Sequence, residues 1–538
     1  MRMQGSRGIR QKNGDAVRDR RPGPGGTPQP GNPGAKGAPG GRLQQAAALH
    51  QAGRLEEAIA AYREILKAQP RQADALYLCG TALAQAGRLD DGIKLLRQAA
   101  KARPAQVEIL NNLGNALQMS GRLAEAEKAF RRCLELRPGY ADALGNLGNL
   151  LQARSRPEEA EAAYRRAIEV APGYALAHLN LGHVLEARGD AEAALAAYDE
   201  ARRLTPQDPR AAFKQGSLLH ALGRHEAAEA ALCQATRLQP GFAQAQTNHG
   251  NVLRDLGRRA EAVAAYRRAI AAQPDAILAR NNLALVLTEL GELEPAKAVY
   301  REILALDPEE PAARHMLAAL SGETTAGAPA DYVRRFFDDF APSFETHLRG
   351  TLAYQGPEAM RRLVETLAER PRFATALDLG CGTGLVPRVF AGLIGRCHGI
   401  DLAPRMVAIA RDSGLYEAVF EAEIQAFLED RTQGLKAYDL MLAGDLFIYV
   451  GALEAVLPAA AARLTPGGLF VFTTELAEGE GGGTGYELRP SGRYAHGEAY
   501  IARLAQAADL TPSGREAFVL RKERDQPVPG VVYAFAKG

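Results

Sequence analysis

Cysteine is scarce and scattered in this chain. There are five in 538 residues, Cys79, Cys133, Cys233, Cys381 and Cys397, and no two form a CxxC pair. The odd count and wide spacing exclude a disulfide framework, argue against a zinc site and fit a reducing, cytoplasmic setting. No metal is expected. Net charge is equally slight, +2 at pH 7, which gives no reason to expect a nucleic acid partner. No apolar run approaches the ~20 residues that a membrane span requires. The first residues are charged and lack the apolar segment of a secretory signal. Hydrophobic residues make up 46% and charged residues 24%, as in soluble globular proteins. A chain of this length outgrows a single core, so at least two domains are expected.

Residues 1–40 carry eight Lys/Arg against two Asp, and fourteen of residues 22–41 are Gly or Pro. Such a segment buries too little apolar surface to offset its chain entropy, and a disordered tail is expected there.

Prolines then stand 34 residues apart at 70, 104, 138, 172, 206, 240, 274 and 308. Gly53, Gly87, Gly121, Gly189, Gly223, Gly257 and Gly291 keep the same spacing, and Ser155 fills the one gap. Bulky residues recur at Tyr62, Leu96, Phe130, Tyr164, Tyr198, Leu232, Tyr266 and Tyr300. Small ones recur at Gly80, Gly114, Gly148, Gly182, Gly216, Gly250 and Ala284. Each unit reads as two short amphipathic helices. Glycine closes the first, where a positive φ is cheap, and proline stops the second. The small series lets the helices approach, and the aromatic is expected to fill the gap between units. Eight units of this period resemble the tetratricopeptide repeat. That resemblance implies an α-solenoid over residues 41–320, including a capping helix at 309–320, whose groove takes a protein or peptide. Asn112, Asn146, Asn180, Asn248 and Asn282 occupy one equivalent position, interrupted by Lys214. A row of amides offers a donor and an acceptor to each peptide unit of an extended ligand. The row resembles the asparagine ladder of O-GlcNAc transferase repeats. Its alternative is a repeat residue without a ligand.

Residues 321–330, SGETTAGAPA, are small and turn-prone and read as a linker crossed by few contacts. Beyond them the period is lost. Thr375–Leu379 reads as a buried strand, followed by Gly380-Cys381-Gly382-Thr383-Gly384, a helix over 386–394, and a second strand, Cys397–Ile400, ending on Asp401. An acid at the end of that second strand is placed to accept from ribose hydroxyls. A dinucleotide site wants G-x-G-x-x-G, but Leu385 and Pro387 stand where the third glycine would fall. Asp378, just before the loop, repels pyrophosphate and suits a ligand carrying an ammonium and a sulfonium. ALDLGCGTG resembles the first motif of class I methyltransferases, which implies an α/β doubly wound, Rossmann-like domain over 331–538 that binds S-adenosyl-L-methionine. By that resemblance Asp378, Gly380, Gly382, Gly384 and Asp401 contact the cofactor, and Glu423, or its neighbour Glu421, meets the adenine amino group. Stretches 331–357, 445–451 and 492–501 are similar to predicted methyltransferases fused to tetratricopeptide repeats.

Ligands of this fold sit outside the carboxyl ends of the strands. Asp445, Tyr449, Tyr494 and His496 are the polar candidates expected near that opening, with His496 as a base or as a hydrogen-bonded structural histidine. Tyr332 and Tyr354 are expected to close over the cofactor. The expected function is S-adenosylmethionine-dependent methyl transfer to an acceptor recruited by the repeats. Two alternatives stay open: a small-molecule methyltransferase whose repeats only assemble a complex, and a cofactor-binding scaffold without turnover.

Overall fold

The computed structural model describes residues 39–341, 344–346, 348, 352–367, 372–477, 485–523 and 526–538. The tail expected at 1–40 lies outside them except for Pro39 and Gly40, which open the first helix, Pro39–Gln51. The chain is an α-solenoid of helical repeats followed by a doubly wound α/β domain. It divides into two compact units, Met1–Pro206 and Gln207–Gly538.

The repeat pattern has a local cause in both units. In the helical pair Ala73–Gln85 and Leu89–Ala102, Gly87 sits between the helices at φ 80°. Ser155 adopts the same left-handed conformation at φ 56° without glycine's freedom. Ser155→Gly is therefore expected to raise the unfolding free energy by about 0.5–1 kcal/mol. The left-handed strain, roughly 1–2 kcal/mol, outweighs the extra chain entropy of glycine, roughly 0.5–1 kcal/mol. A lowered urea midpoint would contradict this.

Phe130, Tyr164, Tyr198 and Tyr266 each lie on the small residue of their own unit, and the series also packs between units: Tyr62 clusters with Ala75 and Cys79, and Tyr266 with Leu283 and Ala284. A Cβ on Gly182 would meet Tyr198 Cε1 at 2.5 Å, and one on Gly148 would meet Tyr164 Cε1 at 2.6 Å. Tyr62, Tyr164, Tyr198 and Tyr266 are fully buried, each contributing on the order of 2 kcal/mol of apolar burial.

The second unit carries the helices from Pro209–Ala221 to Pro311–Ser321, then the α/β domain. Its strands are β1 Phe373–Leu379, β2 Ile394–Asp401, β3 Ala418–Glu421, β4 Tyr438–Ala443, β5 Leu464–Leu476, β6 Tyr486–Leu488, β7 Tyr494–His496, β8 Leu510–Glu523 and β9 Gln526–Lys537. The order is β3-β2-β1-β4-β5, parallel throughout, with β9 antiparallel on β5 and β8 antiparallel on β9. The hairpin β6–β7 attaches at the end of β5 through Glu475 and Leu476. The central strands are apolar on both faces because helices cover both. The helix expected over 386–394 stops at Val389. Gly392, at φ 83°, turns the chain straight into β2, which starts at Ile394.

The segment 321–330 is not the sparsely contacted linker its composition implies. It runs extended along the loop that follows β4. Ala452 N donates to Ala326 O (2.7 Å), Ala328 N donates to Tyr449 O (3.0 Å), and Gly327 pairs antiparallel with Val450. His315, on the last helix of the solenoid, donates to Gly492 O (2.8 Å). Small residues permit this because their backbone can lie flat against another strand.

Candidate functional site

β1 delivers Asp378 to the carboxyl edge of the sheet, and the chain then turns through three glycines at positive φ: Gly380 at 68°, Gly382 at 51° and Gly384 at 91°. Side chains there would be strained and crowded. A Cβ on Gly380 would lie 3.0 Å from Leu446, and one on Gly384 would lie 3.1 Å from Leu415. Asp401, the last residue of β2, braces the loop. Its Oδ2 accepts from Gly382 N and its Oδ1 from Ala403 N, both at 2.9 Å. Two bonds leave further lone pairs on this carboxylate. Burial pushes the Asp401 carboxyl up, against the pull of those backbone N–H groups.

Asp378 is fully buried. Tyr416 donates to its Oδ2 at 2.7 Å, while Oδ1 has no hydrogen-bond partner among the described residues. Burial, with Asp401 nearby, pushes the Asp378 carboxyl up to about 7. A buried, half-satisfied carboxylate is costly unless something else bonds to it. Cys381 packs against Gly399 inside the loop.

At the end of β3, Glu421 stands in register beside Asp401. Glu423 caps the helix Ile424–Glu429 by accepting from Ala426 N at 2.8 Å. Glu423, Ile424, Phe447 and Val450 line a cavity of about 340 Å³, closed on another side by Ala326 and Gly327.

The four polar candidates separate. Asp445 lies at the opening, directly after β4 and Gly444, at φ 55°. Its Oδ1 accepts from Arg521 Nη1 at 2.9 Å. Tyr449 packs edge-on against Phe337 at 5.3 Å, and burial pushes its hydroxyl up against the opposing effect of Arg493. Tyr494 and His496, expected at the opening, are instead fully buried in the hairpin. Tyr494 Oη bonds Thr325 Oγ1 at 2.5 Å. His496 Nε2 donates to the carbonyls of Val450 (3.1 Å) and Gly451 (3.0 Å). Burial pushes His496 down to about 4, so it stays neutral and holds the loop rather than moving a proton. Tyr354 is buried, and its hydroxyl reaches the end of β4, where a Cβ on Gly444 would lie 3.2 Å away. Tyr332 stacks 5.4 Å from His315.

Two residues of the site escaped the sequence. Arg521 and Glu475 are both buried, and Arg521 bridges Asp445 to Glu475. Glu475 also pairs with Arg489 at 3.2 Å. This cluster ties the ends of β4, β5 and β8 together at the opening.

Comparison with known proteins supplies the family. Tetratricopeptide-repeat models match residues 43–105, 105–173, 146–209, 184–243 and 247–311, and a methyltransferase-domain model matches 352–511. This chain is a tetratricopeptide-repeat protein fused to a methyltransferase domain. Among curated relatives of the domain, the chain is 31% identical over 102 residues to the ubiquinone biosynthesis O-methyltransferase of Xanthomonas oryzae pv. oryzae, covering 19% of this chain and 43% of that one. It is 37% identical over 84 residues to human methyltransferase-like protein 27, covering 15% and 34%. The chain thus spans less than half the length of these relatives. Among solved structures, YrrB, described as a TPR protein with an unusual peptide-binding site, is 26% identical with a TM-score of 0.31, covering 34% of this chain and 95% of that one.

In the tetratricopeptide units the ladder amides are already engaged. Asn180 Nδ2 donates to Asn149 Oδ1 at 2.7 Å, and Tyr164 Oη donates to that same oxygen at 2.7 Å. Asn282 repeats this geometry on Asn251, which Tyr266 also bonds. Asn112 donates to Tyr77 Oη (3.0 Å) and Asn248 to Ser217 Oγ (2.9 Å). Asn146 donates to Asn111 Oδ1 at 3.0 Å, and both are buried, so Asn146 does not face an open groove. The row acts first as a set of bonds between successive units. Asn146→Ala is expected to cost about 1–3 kcal/mol by leaving a buried amide unpaired, as read by urea unfolding.

Proposed function

We propose that the methyltransferase domain transfers a methyl group from S-adenosyl-L-methionine. The observation that carries this reading is Asp378: buried, bonded on one oxygen, open on the other, and set directly before three left-handed glycines. A cation such as the cofactor's ammonium answers its open oxygen. The lone pairs left on Asp401 suit ribose hydroxyls, and Glu421 or Glu423 would take the adenine amino group. When bound, the cofactor supplies a methyl carbon already activated by its sulfonium. The chain's own residues align and enclose. Gly382 leaves room beneath Phe344, and Arg521 holds Asp445 at the opening. Asp445 is the candidate of the four that remains placed to accept a proton, which is needed only if the acceptor arrives protonated.

The test is calorimetry on the full chain. S-adenosylmethionine and its demethylated product are expected to bind, with NAD not competing. Asp401→Ala should weaken binding by about 1.5–3 kcal/mol, the range for a hydrogen bond to a charged group. Unchanged affinity would remove the ribose assignment.

The repeats, in this reading, present a protein or peptide acceptor. A second reading, methylation of a small ring compound, is favoured by the aromatic wall before β1. Phe337 lies 5.9 Å from Phe344 and 5.3 Å from Phe336, and Phe336 is exposed. The named activity of the Xanthomonas relative is of the same kind. Labelling a native lysate with radioactive cofactor and separating protein from small-molecule label distinguishes the two.

A further inference from the structure

Two positions of the 34-residue period bring metal-ligating side chains together in the sixth and seventh repeats. At one, six of the eight units carry arginine, at 63, 97, 131, 165, 267 and 301, while the fifth carries Asp199 and the sixth Cys233. In the third and fourth units that arginine pairs with a glutamate four residues earlier, Glu127 with Arg131 and Glu161 with Arg165. The sixth unit keeps the glutamate, Glu229, and replaces its partner by a thiol. The other position is leucine at 113, 147, 181 and 283, with Gln45, Cys79 and Gln215 in three other units and His249 in the seventh. Glu229 and Cys233 share one face of the helix His225–Leu238 because they are four apart. His249 faces them from the helix Ala243–Asp255. The three donor atoms lie within 4.8 Å of one another.

We propose that Glu229, Cys233 and His249 bind a zinc ion that clips the sixth repeat to the seventh. Thiolate, imidazole and carboxylate suit a borderline-soft tetrahedral cation, and partial exposure of Cys233 leaves a fourth position for water. His249 is 7% exposed, and its Nδ1 has no hydrogen-bond partner among the described residues. The present contacts are weak: His249 Nε2 lies 3.5 Å and Arg258 3.3 Å from Glu229 Oε1. Arg258 also pairs with Glu261 and can release Glu229. The absence of a CxxC pair concealed the set, because its ligands come from two repeats.

Cobalt(II) is the probe, because a cysteine ligand gives a thiolate-to-cobalt band in the near ultraviolet. The full chain is expected to develop this band with about one equivalent of cobalt and to lose it on adding zinc. Cys233→Ser should abolish it. His220→Gln should not, although His220, His225 and Asp255 form a second, thiol-free group nearby. Zinc should raise the unfolding midpoint of the parent chain by a few degrees and leave Cys233→Ser and His249→Gln unmoved. Should a variant not fold, zinc must still slow alkylation of Cys233 in the parent chain. No band in the parent chain, a band surviving Cys233→Ser, or alkylation of Cys233 indifferent to zinc would each overturn the proposal.

Discussion

Arg521→Met is expected to destabilise the methyltransferase domain by about 3–5 kcal/mol, the range for removing one partner of a buried ion pair. Arg521 is fully buried between Asp445 and Glu475. Methionine keeps the volume and removes the charge. Arg489 still serves one oxygen of Glu475, at 3.2 Å, but Asp445 loses its cation. The loss should appear as a lower urea midpoint, and methyl transfer should fall further than stability alone requires, because the loop after β4 loses its anchor. Adding Glu475→Gln should restore part of the stability by removing the stranded charge. A single variant as stable as the parent would show that the cluster is energetically neutral.

Asp378→Asn should act with opposite signs on the empty and loaded protein. The carboxyl titrates near 7 in the folded chain against an ordinary 3.8. Below pH 4 both states are protonated and the group contributes nothing. As pH rises towards 7 the unfolded chain ionises first, so stability falls, and above 7 the deficit is constant. About three pKa units amount to roughly 4 kcal/mol. The parent chain should therefore lose stability between pH 4 and pH 7 relative to the asparagine variant, whose difference curve isolates this group from the rest. Cofactor affinity should move the other way. In the parent chain it should rise as Asp378 ionises, and in the variant it should be weak and flat with pH. Parallel stability curves would refute the buried-carboxylate account, and equal affinities would refute the ammonium contact.

The repeats were legible because each marker answers one local demand. Gly87 takes a positive φ, Pro104 stops a helix, and Gly182 admits Tyr198. The glycine loop was legible for the same reason, since Gly380, Gly382, Gly384 and Asp401 act within one β-α-β unit. The failures are non-local. Arg521 follows the buried Leu520, so strand alternation would place it outward. A register shift between Val519 and Arg521 turns both inward. Tyr494 and His496 were misplaced because the hairpin Tyr486–His496 folds back on the loop after β4, and nothing in its short strands announces a partner. The segment 321–330 has the composition of a linker, and only the complementary edge at Tyr449–Ala452 pins it, through one bridge and two backbone hydrogen bonds. The ladder asparagines lie one repeat apart in sequence, so their bonds to the preceding unit became visible only in three dimensions.

That pinned segment bears on how such a protein can vary over evolutionary time. Arrays of repeats lengthen and shorten by duplicating or deleting whole units. Ala326 and Gly327, which follow the last unit, wall the cavity beside Glu423, and His315 and Thr325 anchor the hairpin. A deletion reaching the last helix and the segment after it would therefore remove part of that cavity's wall. Changes in repeat number are expected to be tolerated only where they spare Pro311–Ser321 and the segment that follows it.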